Sequence, residues 1–117
     1  MATERVSLVW DEFQTCSSNM QRALFEDTHF TDVTLACDDN KLVSAHRAVL
    51  SSSSDWFRQV LLQLPQHPHP LLYLRGVTSG QLEDLLHFIY RGEVEVAKDQ
   101  LENFVNMARD LKIRGPF

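Results

Sequence analysis

The sequence predicts an α/β domain in which a small β-sheet is flanked by a cluster of five to six helices. Three observations lead there. Short runs that alternate apolar and polar residues, the period of a half-buried strand, are interspersed with longer runs whose apolar residues recur every three or four positions, the period of a helix face. One pair of strand-like runs is joined by residues suited to a tight turn. Serine, threonine and glycine stand where helices of these lengths would start and stop. Hydrophobic residues make up 44% and charged residues 23% of the chain, an ordinary globular balance that argues against disorder. At 117 residues the chain is expected to form one domain, 1–117, with a core large enough to need no disulfide or metal staple.

Taken in order, Val6, Leu8 and Trp10 alternate as a strand would, and Asp11 begins a helical pattern with no hairpin partner beside it. Phe13, Cys16, Met20, Ala23 and Leu24 then give one apolar helix face through about residue 27. The runs DVTLAC (32–37) and KLVSA (41–45), joined by Asp38, Asp39 and Asn40, read as a β-hairpin. From His46 the period changes. Val49 and Leu50, then Trp56, Phe57, Val60 and Leu61, mark two short helices whose joint is the serine run, with Ser54 or Asp55 capping the second. The proline-rich PQHPHP (65–70) interrupts helix, and LLYL reads as a short strand. Thr78 and Gln81 form a capping box for a helix bearing Leu82, Leu85, Leu86 and Ile89, stopped by Gly92. A second box, Asp99 with Glu102, is expected to open a helix whose Leu101, Phe104, Val105, Ala108 and Leu111 face the core. Between these helices EVEV (93–96) alternates as a fifth short strand, again without an adjacent partner. An unpaired apolar edge invites another chain.

The longest apolar runs are only a few residues, too short to cross a bilayer, and MATERV is not followed by the apolar stretch of a secretory signal. Cys16 and Cys37 lack metal-ligand spacing and are read as inert thiols in a reducing compartment. Sixteen acidic against 11 basic residues give a net charge of −5, and the basic residues form no stripe, so direct nucleic-acid contact is not expected.

The run FTDVTLACDDNKLVSAHRAVLSSSSDWFR (30–58) resembles the core of the BTB/POZ domain. The family pattern is matched at Asp32-Val33, Ala45-His46-Arg47, Val49-Leu50-Ser51 and Trp56-Phe57, and LLHFIYRGEVEV is similar to its Leu-x-x-Phe-x-Tyr-x-Gly-x-Val segment. The likeness spans roughly residues 6 to 115. Leu8 and Trp10 match the Phe-x-Leu-x-Trp strand of the Tramtrack-like group, while Val6, Val9 and Asp11-Glu12 depart from it, and LKIRG (111–115) is similar to that group's close. The resemblance implies a homodimerising module, capable of further assembly, at the N-terminus of a nuclear transcription or chromatin factor, with other BTB proteins or co-regulators as further partners. The alternative is a substrate adaptor of a cullin ubiquitin ligase. That role typically uses a hydrophobic-x-Glu element after the aromatic helix, and no glutamate occurs between Glu26 and Glu83. IRGPF is expected to mark a helix stop and the start of a linker.

No enzymatic activity or cofactor is expected, because Ser51 to Ser54 lie in no nucleophile elbow and the histidines in no reactive grouping. His67 and His69 could hold a metal only weakly and read as loop residues, and no metal is expected. His46, between strand and helix, reads as a structural hydrogen-bonding residue rather than a ligand or proton switch. Residues matching Asp32 and Arg47 form, in the family, a charged pair in a pocket at the dimer interface; two solvated surface charges are the alternative. The two partnerless strands are expected to pair across a two-fold axis, VSLVW of one chain with EVEV of the other, as the resemblance also implies. Val6, Leu8 and Trp10 would then cover the partner's Val94 and Val96, and Phe13, Cys16 and Met20 of the first helix would complete the interface.

Overall fold

A computed structural model describes residues 3–117. At its centre the expected hairpin is widened to three strands. β1 (Val33–Cys37) pairs antiparallel with β2 (Leu42–Ala45) and parallel with β3 (Leu71–Leu74), in the spatial order β2-β1-β3. The hairpin turn has a three-residue loop. Asn40 N–H donates to the Cys37 carbonyl at 3.1 Å and Cys37 N–H to the Lys41 carbonyl at 2.9 Å, with Asn40 at φ 63°. That is a type I turn followed by a left-handed bulge residue, a position asparagine tolerates better than most. Val33, Leu35 and Cys37 are buried on the inner face of β1.

A parallel neighbour requires a crossover, which α2 (Arg47–Ser53) and α3 (Asp55–Leu62) supply. The serine joint works as expected. Ser54 is extended, fully buried, and its hydroxyl accepts the Phe57 N–H at 3.0 Å while donating to the Leu111 carbonyl at 2.5 Å. Around it, Asp55 N–H donates to the Lys112 carbonyl and Arg114 N–H to that of Ser53, so the C-terminal segment is stitched to the joint. α4 (Ser79–Arg91) carries the full Thr78–Gln81 capping box and ends on Gly92 at φ 83°, whose N–H bonds to the Phe88 carbonyl.

The turn aspartates do more than turn. Asp38 accepts from the Tyr73 hydroxyl and from Gly76 N–H, bracing the end of β3. Asp39 accepts from both the N–H and the hydroxyl of Ser79, the first residue of α4, so hairpin and helix are tied together. The hydroxyl and N–H of Ser79 hold the Asp39 carboxyl below its ordinary pKa.

Three expectations are corrected. The Asp99–Glu102 box does not form: Asp99 lies inside a 3-10 turn (Lys98–Gln100), so its backbone is already helical, and α5 (Leu101–Asp110) starts behind Gln100 with no side-chain cap. Leu101 is not core but exposed. Residues 6–10 and 93–96 are not strands within the single chain, so three strands rather than five are present among the described residues; neither segment has a neighbour that supplies a ladder.

Every buried side chain of the described residues lies between Val33 and Ile113. α1 (Phe13–Glu26) therefore sits outside the core and buries no residue fully. Only its C-terminal end docks: Gln21 Nε2 donates to the Ile89 carbonyl at 2.9 Å, and the Phe25 ring meets the Tyr90 ring edge at 5.4 Å. The projection of this arm explains a radius of gyration of 17.2 Å, against about 13 Å for a compact domain of this length.

Replacing Ser54 by alanine removes a helix cap and strands the tether to Leu111, at a cost of about 2 to 3 kcal/mol, which a lowered Tm at fixed protein concentration will report. Asp39→Ala is expected to lower Tm at neutral pH. Because the folded-state pKa of Asp39 is depressed, its contribution is present above the unfolded value of about 4 and lost as pH falls through the lower folded value. The gap in Tm between wild type and Asp39→Ala should accordingly close in acid.

Candidate functional site

The residues expected to make an interface divide into an arm and a groove. On the arm, Leu8 is 94% exposed, Trp10 55%, Phe13 55% and Met20 58%, and Val6 is equally open. Cys16 is half-buried. The arm has some order of its own. Phe13 N–H donates to the Trp10 carbonyl at 3.1 Å and the two rings meet edge to face at 5.4 Å, so a turn at Asp11 and Glu12 passes the extended segment directly into α1. Isolated exposed apolar residues are normal on protein surfaces, but a consecutive series on one arm is not.

The groove is built by the segment after Gly92. Val94 and Val96 are half-buried while Glu93 and Glu95 face water, the alternation of a strand with one covered face. Beside them lies a cavity of about 670 Å³ lined mainly by Phe88, Leu101, Phe104, Val105 and Phe117. Its wall is an aromatic cluster in which Phe88 lies 6.4 Å from Phe104 and 5.1 Å from Phe117. The exposed Leu101 forms its lip, which gives a reason why a residue in phase with the α5 core stripe is left uncovered. The 93–96 segment thus offers a backbone outside any strand ladder and an apolar trough side by side. Arm and groove of the same chain are not joined by any strand ladder among the described residues.

Asp32 and Arg47 do meet. Asp32 Oδ1 accepts the Arg47 backbone N–H at 2.7 Å, and Oδ2 accepts from Nε at 3.1 Å. The first contact secures the opening residue of α2, so Asp32 acts as a helix-start acceptor as well as an ion-pair partner. In the single chain their side chains are 37% and 32% exposed, so solvent screens the pair there and its worth is about 1 kcal/mol rather than that of a buried one. Arg47 also reaches the His67 carbonyl, at 3.4 Å.

His46 is buried. Its Nε2 lies 3.3 Å from the His29 carbonyl, which can only accept, so Nε2–H donates there, and Nδ1 shares a hydrogen bond with the Tyr90 hydroxyl at 2.9 Å. The same hydroxyl accepts the His46 N–H, and burial pushes the Tyr90 pKa up. This is the structural role expected for His46. His69 Nε2 bonds the Thr34 hydroxyl, and among the described residues no group of three potential metal ligands gathers around it or elsewhere. Burial raises the Cys37 thiol pKa, which suppresses the reactive thiolate. No helix of the described residues is long and apolar enough to cross a membrane.

The alternation in the sequence singled out the arm, Val94 and Val96, and the family resemblance implied that Asp32 and Arg47 meet, as they do. Neither pointed to the groove wall, because Phe88, Phe104 and Phe117 are brought together only by the packing of α4, α5 and the C-terminal segment.

A small mixed sheet wrapped by helices, with an apolar arm left outside its core, is an architecture suited to contact with another protein. The profile of the BTB/POZ domain matches residues 22–117, and the chain belongs to that family. Over 96% of its length it is 41% identical to protein abrupt of Drosophila melanogaster, of which it spans 12%, and over 98% it is 36% identical to the alpha isoform of protein tramtrack from the same organism, of which it spans 14%. The BTB domain of human gigaxonin superposes on 94% of the chain, covering 89% of its own, with a TM-score of 0.74 at 19% identity, which shows the shared fold.

The geometry at Asp32 separates two contributions. Asp32→Asn keeps an acceptor for the Arg47 N–H and is expected to lower Tm less than Asp32→Ala, which loses acceptor and ion pair together. Equal losses in thermal melts would place the stabilisation in the ion pair alone.

Proposed function

We propose that this domain is a self-association module that pairs two copies of the chain by exchanging N-terminal segments. In this reading VSLVW of one chain adds as a strand to EVEV of the other, and Val6, Leu8 and Trp10 enter the partner's trough beside Val94 and Val96. The observation that carries the proposal is the exposure of Val6, Leu8, Trp10, Phe13 and Met20 outside the buried core, combined with an apolar trough next to a segment that joins no strand ladder. Each chain owns one donor arm and one acceptor groove, and a two-fold axis satisfies both at once. Phe13, Cys16 and Met20 on the open face of α1 supply further contact between the copies, and Asp32 and Arg47 are assigned to the floor of the same interface.

Self-association would raise the local concentration of whatever region of the full-length protein is attached to it, a gain of roughly 10² to 10⁴ in avidity when the geometry allows simultaneous engagement. The likeness to the Tramtrack-like group supports a nuclear transcription or chromatin factor as that protein, and assembly beyond the dimer. Apolar residues outside the exchanged surfaces, among them Leu62 and Tyr73, are available for such assembly. The absence of any glutamate between Glu26 and Glu83 speaks against the adaptor reading.

Deleting residues 1–10 is expected to convert the dimer to monomer or to lower its Tm sharply. Each of Val6, Leu8 and Trp10 contributes roughly 1.5 to 3 kcal/mol when buried, and the loss is doubled across the pair. Light scattering on a calibrated column reads the mass. A truncated chain that stays dimeric with unchanged Tm would contradict the exchange.

A further inference from the structure

A second open surface shares no lining residue with the trough beside Val94. It runs along β2, an edge strand of the sheet. The hairpin register fixes which of its backbone groups are free. Cys37 and Lys41 form a hydrogen-bonded position, and with Leu35 opposite Val43 the bonded pairs recur at every second residue. Leu42 and Ser44, opposite Ala36 and Thr34, therefore turn their N–H and C=O groups away from β1 toward open solvent. None of the loop and inter-element backbone hydrogen bonds among the described residues uses either residue. Edge strands are commonly blunted by proline, by inward charges or by a covering element. Leu42–Ala45 contains no proline and no charge.

The space beside this edge is shaped rather than flat. A cavity of about 420 Å³ lies between β2, the C-terminal end of α1 and α4, with Leu24, Phe25, Leu86 and Tyr90 as its apolar lining. Its charged residues are the carboxylates Asp27 and Glu83, and no lysine or arginine lines it. Glu83 is exposed and makes no ion pair among the described residues. Asp27 is held ionised by His29, whose N–H and ring both bond its Oδ1, leaving Oδ2 available. The loop at this end also carries Phe30, 86% exposed and at φ 63°, a left-handed conformation that bulky side chains avoid. A solvent-facing aromatic residue held in that conformation is a candidate contact residue.

We infer that the β2 edge is a docking site for an extended basic segment of another protein, which adds as a further strand against Leu42 and Ser44. One apolar side chain of that segment would enter the cavity above Leu86 and Tyr90, and lysine or arginine two residues to either side, on the same face of the added strand, would meet Asp27 and Glu83. Backbone pairing supplies affinity, while the cavity and the two carboxylates supply selectivity. β2 spans about 13 Å, so the contact needs only four to six residues of the partner. The acidic lining favours this occupant over an acidic peptide or a second copy of a chain whose net charge is −5.

The test is fluorescence anisotropy with the whole 117-residue chain and a labelled octapeptide in which a central leucine is flanked, two residues to either side, by lysine and arginine. Saturable binding is expected. N-methylation of the amides at one set of alternate residues should weaken it about tenfold or more, and methylation of the other set should leave it unchanged, because only one edge of an added strand faces β2. Glu83→Lys, a change at an exposed position, should weaken binding by a similar factor without moving Tm. Equal effects of the two methylation patterns, equal binding of a glutamate-bearing counterpart, or no effect of Glu83→Lys would each overturn the proposal. So would a fall in the protein's mass when the peptide binds, because the peptide would then occupy the self-association trough. Deletion of residues 1–10 leaves the β2 site untouched, so failure of the exchange and failure of this site are distinguishable.

Discussion

The interaction on which the rest depends is the closure of the hydrophobic core between Val33 and Ile113. β1 lies at its centre with Val33 and Leu35 entirely covered, α4 gives Leu82 and Leu85, and Phe57 seals it from the crossover. Because this core takes only Leu24 and Phe25, at the end of α1, from the described residues ahead of β1, the N-terminal arm has no place in it to fold back into. An arm carrying valine, leucine and tryptophan in series is left with apolar surface that burial would stabilise and with backbone that joins no strand ladder among the described residues. The same chain, after Gly92, holds a trough of matching character. The tendency to self-associate proposed here is the consequence of that imbalance.

Polar residues hold the frame around which arm and trough are placed. Ser54 is both cap and tether, and Asp39 links the hairpin to α4, so the sheet, the crossover helices and the helix beneath the trough are fixed relative to one another by a few buried or half-buried hydrogen bonds. Asp32 plays a comparable part at the start of α2. A trough whose wall depends on Phe88 from α4 and Phe104 from α5 keeps its shape only if those helices keep their positions. Stability of the frame and readiness of the trough are therefore linked through the same contacts.

Local chemistry was readable from the chain wherever a signal lies within a few residues. The Asp38-Asp39-Asn40 turn, the Thr78–Gln81 box, the Ser54 cap and the Gly92 stop are all set by neighbours close in sequence. The Asp99–Glu102 pattern misled because the same residue types also suit the interior of a 3-10 turn, and the choice was made by the path of the chain after Ala97. Leu101 misled because it is in phase with a core stripe yet lies where the stripe meets the trough. Long-range features such as Ser54 with Leu111, Asp39 with Ser79, or the phenylalanine wall leave no local trace. The edge of β2 lies between these cases: the hairpin was legible, but which edge stays open depends on β3 having taken the other.

The most direct measurement of the central claim is an isotope-filtered NOE experiment on a sample assembled from labelled and unlabelled chains. It detects contacts only between different copies. The exchange predicts cross-peaks from the Trp10 ring and Leu8 methyls of one chain to the Val94 and Val96 methyls of the other. Cross-peaks between these groups that arise only within a single chain, and vanish in the filtered spectrum, would contradict it.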